Sequence, residues 1–583
     1  MRLTRTGERW LLAAYVAAAV FFTLPALVSG SRLGIEDWDV LLFYHASVLR
    51  SVVDYGRLPF WNPWYCGGNV LWQNPQVALL SPVYPLALVA SLPFAMKLAI
   101  TLHYAIGLVG MHVLLTRGLR LTFWPAIVFL SALVMFAGGP VFHLLVGHAT
   151  YLPYFYVPWA LFLALRAFDT GRLGHAVAAA VVLAVCIYNG AFQVAFMFSV
   201  GLGVFGAALT VFRRDWRPIA IVGLVGLFTV LFSAPKLAPT QAFVASPRTI
   251  DTRYVPPVPD TMSVEMLEHA FLDPFQFDRL RFGDQPYGWH EYATYIGSFS
   301  ALVLALTIGW VFARRFWEPS RAFETSLAVT AILLFLIALG EFAPYAPYQL
   351  LRRLPVTSQF RIASRYLLIF LLFAAVAAGA VWRELIREPS KQTARFAGAV
   401  LIAAAVALMC WNRSNFEDAF PFEPLGPVFH VLTRPPAPRI DTAAAGLDAG
   451  RSPTLHALEA NRAVLNCYEP LHLSGDVQAD RPVVFGDDSV RISDVVFAPD
   501  RVVFRAIAGQ SPGRVYLNER YAEGWSSDAG PMNIDGRGLG YVEMAAGRAG
   551  RFSFRFVPPR LYTGLAVFIV GVALAIPVAR RRW

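Results

Sequence analysis

WLLAAYVAAAVFFTLPALVSGSRLGIEDWDV, residues 10–40, decides the class of this protein. An apolar run from Trp10 to Val28 follows the basic start MRLTRTGER and precedes a cluster of carboxylates. A secretory signal also has a basic start and an apolar body, but its core is shorter and ends at a small-residue cleavage site. This run is long enough to cross a bilayer and reads as an uncleaved span.

The rest of the chain repeats that pattern. Of 583 residues, 57% are hydrophobic and 15% charged, a balance foreign to soluble domains. Further runs of spanning length occur at about Ala95–Leu115, Thr122–Gly139, Tyr151–Phe168, Gly174–Tyr188, Ala191–Phe212, Ile219–Pro235, Tyr292–Ala313, Phe323–Gly340, Tyr366–Trp382, Phe396–Trp411 and Leu561–Val578, which makes about twelve helices. Val77–Phe94 is apolar too, but Pro82, Pro85 and Pro93 break it, so it reads as a re-entrant or interfacial helix.

A net charge of +11 would suit a nucleic-acid partner only if the basic residues formed one patch. They fall instead between apolar runs: Arg2/Arg5/Arg9, Arg117/Arg120, Arg166/Arg172, Arg213/Arg214/Arg217, Arg314/Arg315/Arg321, Arg383/Arg387/Lys391/Arg395 and Arg580/Arg581/Arg582. With the N-terminus inside, every inner segment is basic, as cytoplasmic loops are. Both termini are therefore expected in the cytoplasm, and nucleic acid drops out as a partner.

This topology makes residues 1–411 a transmembrane domain with outer loops at 29–94 and 236–291. Residues 412–559 form an outer region large enough to fold on its own, and 560–583 form a last span with a basic tail. In the outer region, SVRISDVVFAPDRVVFRAIA (489–508), GRVYLNERYAEGWSS (513–527) and GRFSFRFVPP (550–559) alternate apolar and polar residues between turns, which predicts antiparallel strands and a β-sandwich. In the first loop, DVLLFYHASVLRSVVDYG (39–56) sets Ala46, Val48, Leu49, Val52 and Val53 against His45, Ser47, Arg50, Ser51 and Asp54, as in a helix lying on a membrane surface. GRLPFWNPWYCGGNVLWQNP (56–75) then turns at Pro59, Pro63 and Gly67/Gly68. Its Trp61, Asn62, Trp64 and Trp72 are expected either to anchor at the interface or to present ring faces and donors to a sugar or isoprenoid. Cys66 and Cys467, both predicted outside, are able to pair; Cys186 and Cys410 complete the cysteines, and none has metal-ligand spacing.

Glu36, Asp37 and Asp39, beside Trp38, concentrate negative charge at the outer end of the first span. Such carboxylates can act as general base toward an acceptor hydroxyl, or bind a divalent cation such as Mg or Mn through oxygen. Outer basic groups follow at Lys236, Arg248 and Arg253, and at Arg361 and Arg365, four apart and so on one face if that stretch is helical. They either hold lipid headgroups or neutralise a departing phosphate. His143 and His148 at the end of the third span, and His290 and Glu291 before the eighth, are structural hydrogen-bonding groups or substrate contacts.

These features in this order resemble the YfhO-like family of bacterial membrane proteins, within the GT-C superfamily of polytopic glycosyltransferases. The resemblance runs through GRLPFWNPWYCGGNVLWQNPQVALLSPVYPL (56–86), SAPKLAPTQAFVASPRT (233–249), HEYATYIGSFSALVLAL (290–306), LPVTSQFRIASRYLLIF (354–370) and LNERYAEGWSS (517–527). It implies an α-helical polytopic, GT-C-like fold in the bacterial inner membrane with the β domain outside. It also implies inverting transfer of a sugar from a polyprenyl-phosphate donor to a glycan, lipid or protein acceptor among the membrane lipids, with Asp37 or Asp39 as the catalytic acid residue of the first loop. A transporter or flippase for lipid-linked saccharides also suits twelve helices, but no charged residue falls mid-span and the two halves do not repeat. A non-catalytic envelope assembly protein is the third reading.

Overall fold

The computed structural model describes residues 4–29, 32–33, 37–251, 258–276, 285–313, 318–354, 360–386, 391–418, 423–424, 439–441, 453–465, 467 and 471–583. All the expected spans coincide with helices. Among the described residues, eight helices are long and apolar enough to cross a membrane: Arg5–Val28, Leu92–Gly118, Trp124–Leu145, Phe192–Arg213, Arg217–Val244, Ser364–Leu385, Gln392–Asn415 and Leu561–Ala579. Leu173–Tyr188, Gly297–Ala313 and Ala322–Ala338 are shorter apolar helices, and Val157–Thr170 lies among them. Val77–Phe94 is not one helix: it holds the short helix Val83–Ala87, and the next begins at Leu92, where the Ser91 side chain accepts the Phe94 amide.

The helix Trp38–Val53 forms as expected, but it does not lie on a surface with its polar side outward. Nearly all of it is buried, and its polar groups find partners inside the protein. Arg50 donates to the Leu458 carbonyl and to Asn461 Oδ1 and pairs with Asp54 at 3.5 Å. Asp39 accepts the amides of Thr454 and Leu455, both at 3.2 Å, at the start of the helix Pro453–Glu459. The polar alternation thus marks contact with two layers of protein rather than a boundary between lipid and water.

The sandwich is built from β1 (Val484–Gly486), β2 (Val490–Ala498), β3 (Arg501–Ala508), β4 (Gly513–Arg520), β5 (Trp525–Ser527), β6 (Asn533–Ile534), β7 (Leu539–Met544) and β8 (Ala549–Phe556). One sheet runs β2-β3-β8-β5 and the other β6-β7-β4-β1, with antiparallel pairs throughout. Alternate residues such as Val502, Phe504, Val515, Leu517, Val542 and Phe554 point inward and fill the core.

Trp61 belongs to that same core. It sits on a hairpin that pairs Trp61–Asn62 with Asn69–Val70, and its ring packs 5.2 Å from Trp525 and 4.7 Å from Phe556. Its Nε1 donates to Glu519. At the hairpin tip Gly67 and Gly68 have φ of +63° and +95°; a Cβ on Gly68 would press at 3.0 Å on both Trp61 and Glu519. The Gly67 carbonyl accepts the Arg520 amide at 2.8 Å, and Cys66 is disulfide-bonded to Cys467 with Cα atoms 4.8 Å apart. The aromatic loop is therefore a plug that fastens the sandwich to the helical bundle.

Below the plug, Pro239 supplies no N–H to the Pro235 carbonyl one turn back, and Trp72 Nε1 donates to that carbonyl at 2.8 Å. The Lys236 ammonium donates to the carbonyls of Trp72 and Asn74 at 2.7 Å and of Val77 at 3.3 Å. Arg248 donates to the carbonyls of Tyr521, Ser474 and Gly538. Trp64 is buried beneath the Arg50 guanidinium, and Asn62 Oδ1 accepts the Trp64 amide. These placements correct the substrate-contact readings of Trp61, Asn62, Trp64, Trp72, Lys236 and Arg248. The polar atoms of Asn62, Trp72, Lys236 and Arg248 close backbone groups of the irregular loop, the proline-broken helix and the sandwich turns.

Burial pushes the Glu519 carboxyl from 4.5 up to about 8, only partly offset by the Trp61 hydrogen bond. The folded state holds that proton more tightly than the unfolded chain, so the stability it confers is full below the unfolded value and falls as pH rises toward the folded one. Thermal unfolding of the sandwich should occur at lower temperature at about pH 8.5 than at about pH 5, and Glu519→Gln should flatten the difference in scanning fluorimetry. A slope unchanged in the variant would assign it to other groups.

Candidate functional site

The helix Trp124–Met135 ends at Phe136, and the chain resumes as the helix Gly138–Leu145. Gly138 permits this restart because its amide donates to the Tyr295 carbonyl at 3.0 Å and a Cβ there would lie 2.6 Å from the Tyr295 nitrogen. The second helix stops at Val146, and Gly147, with φ +89°, lies flat against the peptide joining Asp37 to Trp38. A Cβ on Gly147 would lie 2.2 Å from the Trp38 nitrogen, so both the turn and the contact require glycine. The Asp37 amide donates to the Val146 carbonyl at 3.0 Å, and Trp38 Nε1 to the Leu144 carbonyl at 2.8 Å.

This docking brings Asp37 Oδ2 to 3.4 Å from His148 Nε2. His148 Nδ1 lies 2.9 Å from His143 Nδ1, a contact in which one ring must donate and the other accept. When His148 is the acceptor, its remaining proton sits on Nε2, facing Asp37. His143 stacks on Tyr151 with ring centres 4.0 Å apart, and His290 meets His148 edge-on at 5.3 Å.

Behind the histidines lies a buried ion pair. Arg365 grips both oxygens of Glu291 through Nε and a terminal nitrogen and donates to Gln193 Oε1. Its guanidinium also lies 5.5 Å from the Tyr151 ring centre, and His290 Nε2 is 3.5 Å from Glu291 Oε1. Burial alone would push the Glu291 carboxyl up, but the guanidinium outweighs it and holds the group well below the usual carboxylate range. Arg365 is itself set by Asp260, which accepts the Ala363 amide and the Tyr292 hydroxyl, each at 2.9 Å. Burial raises the Asp260 carboxyl to about 6.

Asp37, His148, His290, Glu291 and Arg365 therefore lie together. Asp39 points away, into the start of the helix Pro453–Glu459. Arg361 precedes the helical turn Ser364–Tyr366, so the two arginines do not share a helix face; its charge acts on the Tyr287 hydroxyl. Glu36 and Arg253 lie outside the described residues. Tyr151, Gln193 and Asp260 were not singled out in the sequence, where each stands alone without a motif.

A cation shared by Asp37 and Asp39 does not fit, because the two carboxylates engage different elements. His143, His148 and Glu291 place ligand atoms within 4.8 Å of one another. Two imidazoles and one carboxylate suit a zinc-like ion better than Mg or Mn, and Arg365 already occupies Glu291.

Among solved structures, the chain is similar to the arabinofuranosyltransferase AftD from Mycobacteria, with 14% identity and a TM-score of 0.43 over 73% of this chain and 28% of that one. It is also similar to the arabinosyltransferase EmbB from Mycobacterium smegmatis, with 13% identity and a TM-score of 0.30 over 95% of this chain and 63% of that one. The chain thus spans less than a third of AftD's length. No family model and no curated protein matches it.

Glu291→Gln leaves the Arg365 charge buried without its counter-ion, a loss of about 3–5 kcal/mol. The detergent-solubilised protein should unfold several degrees lower in a thermal scan, and adding Arg365→Met should recover much of the difference. A double variant no more stable than the single one would count against the pair as the source.

Proposed function

We propose that this protein is a membrane glycosyltransferase of the GT-C type. It moves a sugar from a polyprenyl-phosphate donor to a cell-envelope acceptor, a glycan, lipid or protein, on the outer face of the bacterial cytoplasmic membrane. The observation that carries the proposal is the Asp37–His148 contact beside the Arg365–Glu291 pair at one end of an apolar helical bundle. A carboxylate oriented by an imidazole is equipped to take a proton from a hydroxyl.

In this reading the acceptor oxygen attacks the anomeric carbon, the bond from that carbon to the phosphate oxygen breaks, and the acceptor proton passes to Asp37. Polyprenyl phosphate departs with the electron pair, and donors from His290 and Arg361 meet its growing charge. A single displacement of this kind inverts the anomeric centre. Asp37 rather than Asp39 is the base, since Asp39 is engaged with backbone amides. Orientation draws support from the basic inner segments and from the Cys66–Cys467 bond, which belongs in an oxidising compartment. Both termini are then cytoplasmic.

The test compares lipid and glycan extracts from membranes with and without the protein, followed by transfer in proteoliposomes using polyprenyl-phosphate sugars. Loss of the protein should leave a polyprenyl-linked sugar accumulating and a glycan short of one residue. Asp37→Asn should lower the transfer rate about 10²- to 10⁴-fold, and Asp39→Asn far less. Unchanged extracts would reject the transferase, and transfer surviving in Asp37→Asn would reject the base.

A further inference from the structure

The outward face of the sheet β2-β3-β8-β5 carries Arg491, Arg501, Arg505, Arg551 and Arg555, all exposed. The register sets Arg501 directly opposite Arg555 and Arg505 directly opposite Arg551, while Arg491 stands opposite Ile507. Like charges in directly opposed positions destabilise an antiparallel sheet, so two stacked arginine rungs work against the fold that holds them. Among the described residues none of the five has an ion-pair partner. The nearby acids are otherwise engaged: Asp494 accepts from Ser493 Oγ in the bulge of β2, and Asp528 accepts from the Ser553 amide and hydroxyl.

We infer that this face is a docking surface for an acidic glycan, an extended polysaccharide bearing carboxylate or phosphate groups. Guanidinium forks match both groups in a bidentate way and lose little in doing so. The spacing favours a chain over a flat headgroup layer. β8 ends at Phe556 and the last membrane-length helix begins at Leu561, so the Arg501–Arg555 rung lies beside that helix. The Arg505–Arg551 rung lies four residues, about 13 Å, further along the strands, and Arg491 lies beyond it. A lipid surface meets the near rung, whereas a polymer running along the strands meets all three positions. The inference is independent of the chemistry at Asp37.

The full chain in zwitterionic phosphatidylcholine nanodiscs is tested by interferometry against polygalacturonate and phosphorylated dextran, with neutral dextran as control. The acidic polymers should bind at low salt and release as ionic strength rises, and neutral dextran should not bind. Arg505→Gln/Arg551→Gln and Arg501→Gln/Arg555→Gln should each weaken binding roughly tenfold without lowering the unfolding temperature, since each removes a like-charge rung. Three outcomes overturn the inference: neither acidic polymer binds, all four substitutions together leave binding unchanged, or phosphatidylglycerol vesicles bind with the same arginine dependence while the polymers fail to compete.

Discussion

Three backbone carbonyls, those of Trp72, Asn74 and Val77, converge on one buried ammonium, Lys236. An irregular loop cannot satisfy its own carbonyls, and a buried ammonium needs several acceptors to offset its desolvation. Each requirement answers the other. The contact holds residues 72–77 against the helix Arg217–Val244, and the same loop enters the sandwich through Trp61. Sandwich and bundle are thereby registered to each other.

The same logic governs the candidate site. Arg365 and Glu291 neutralise each other, Asp260 fixes the turn that carries Arg365, and Tyr151 lies between the guanidinium and the histidine pair. Asp37 is delivered by a backbone contact with Gly147 rather than by its own helix packing. The Asp37 carboxylate is thus held by one segment and the Arg365–Glu291 pair by others, which is how a site made from distant parts of a chain keeps its geometry.

The apolar runs were legible because bilayer thickness imposes a length that few other constraints imitate, and the strands of 489–556 because alternation with turn residues has one physical meaning. What the residues did not disclose was who answers each polar group. Lys236 and Arg248 read as outer cations, and nothing in their neighbourhood of sequence announces that carbonyls more than a hundred positions away will receive them. Asp37 and Asp39 differ by two positions, yet the start of a helix sends one to His148 and the other to Thr454. His148, Glu291 and Arg365 stood out by residue type and by placement at span ends, whereas Asp260 and Gln193 carry no local pattern at all.

The Cys66–Cys467 bond joins positions 401 apart in sequence, which makes the intervening chain a closed covalent ring. A single backbone cut anywhere within that ring, including in an exposed loop between helices, leaves the two ends linked and the sandwich still tethered beside the first loop. However many cuts fall within the ring, the sandwich separates from the first helix only when the disulfide is reduced as well. The molecule is in this sense a loop worn through the membrane, with the sandwich fastened both to the first loop and to the bundle.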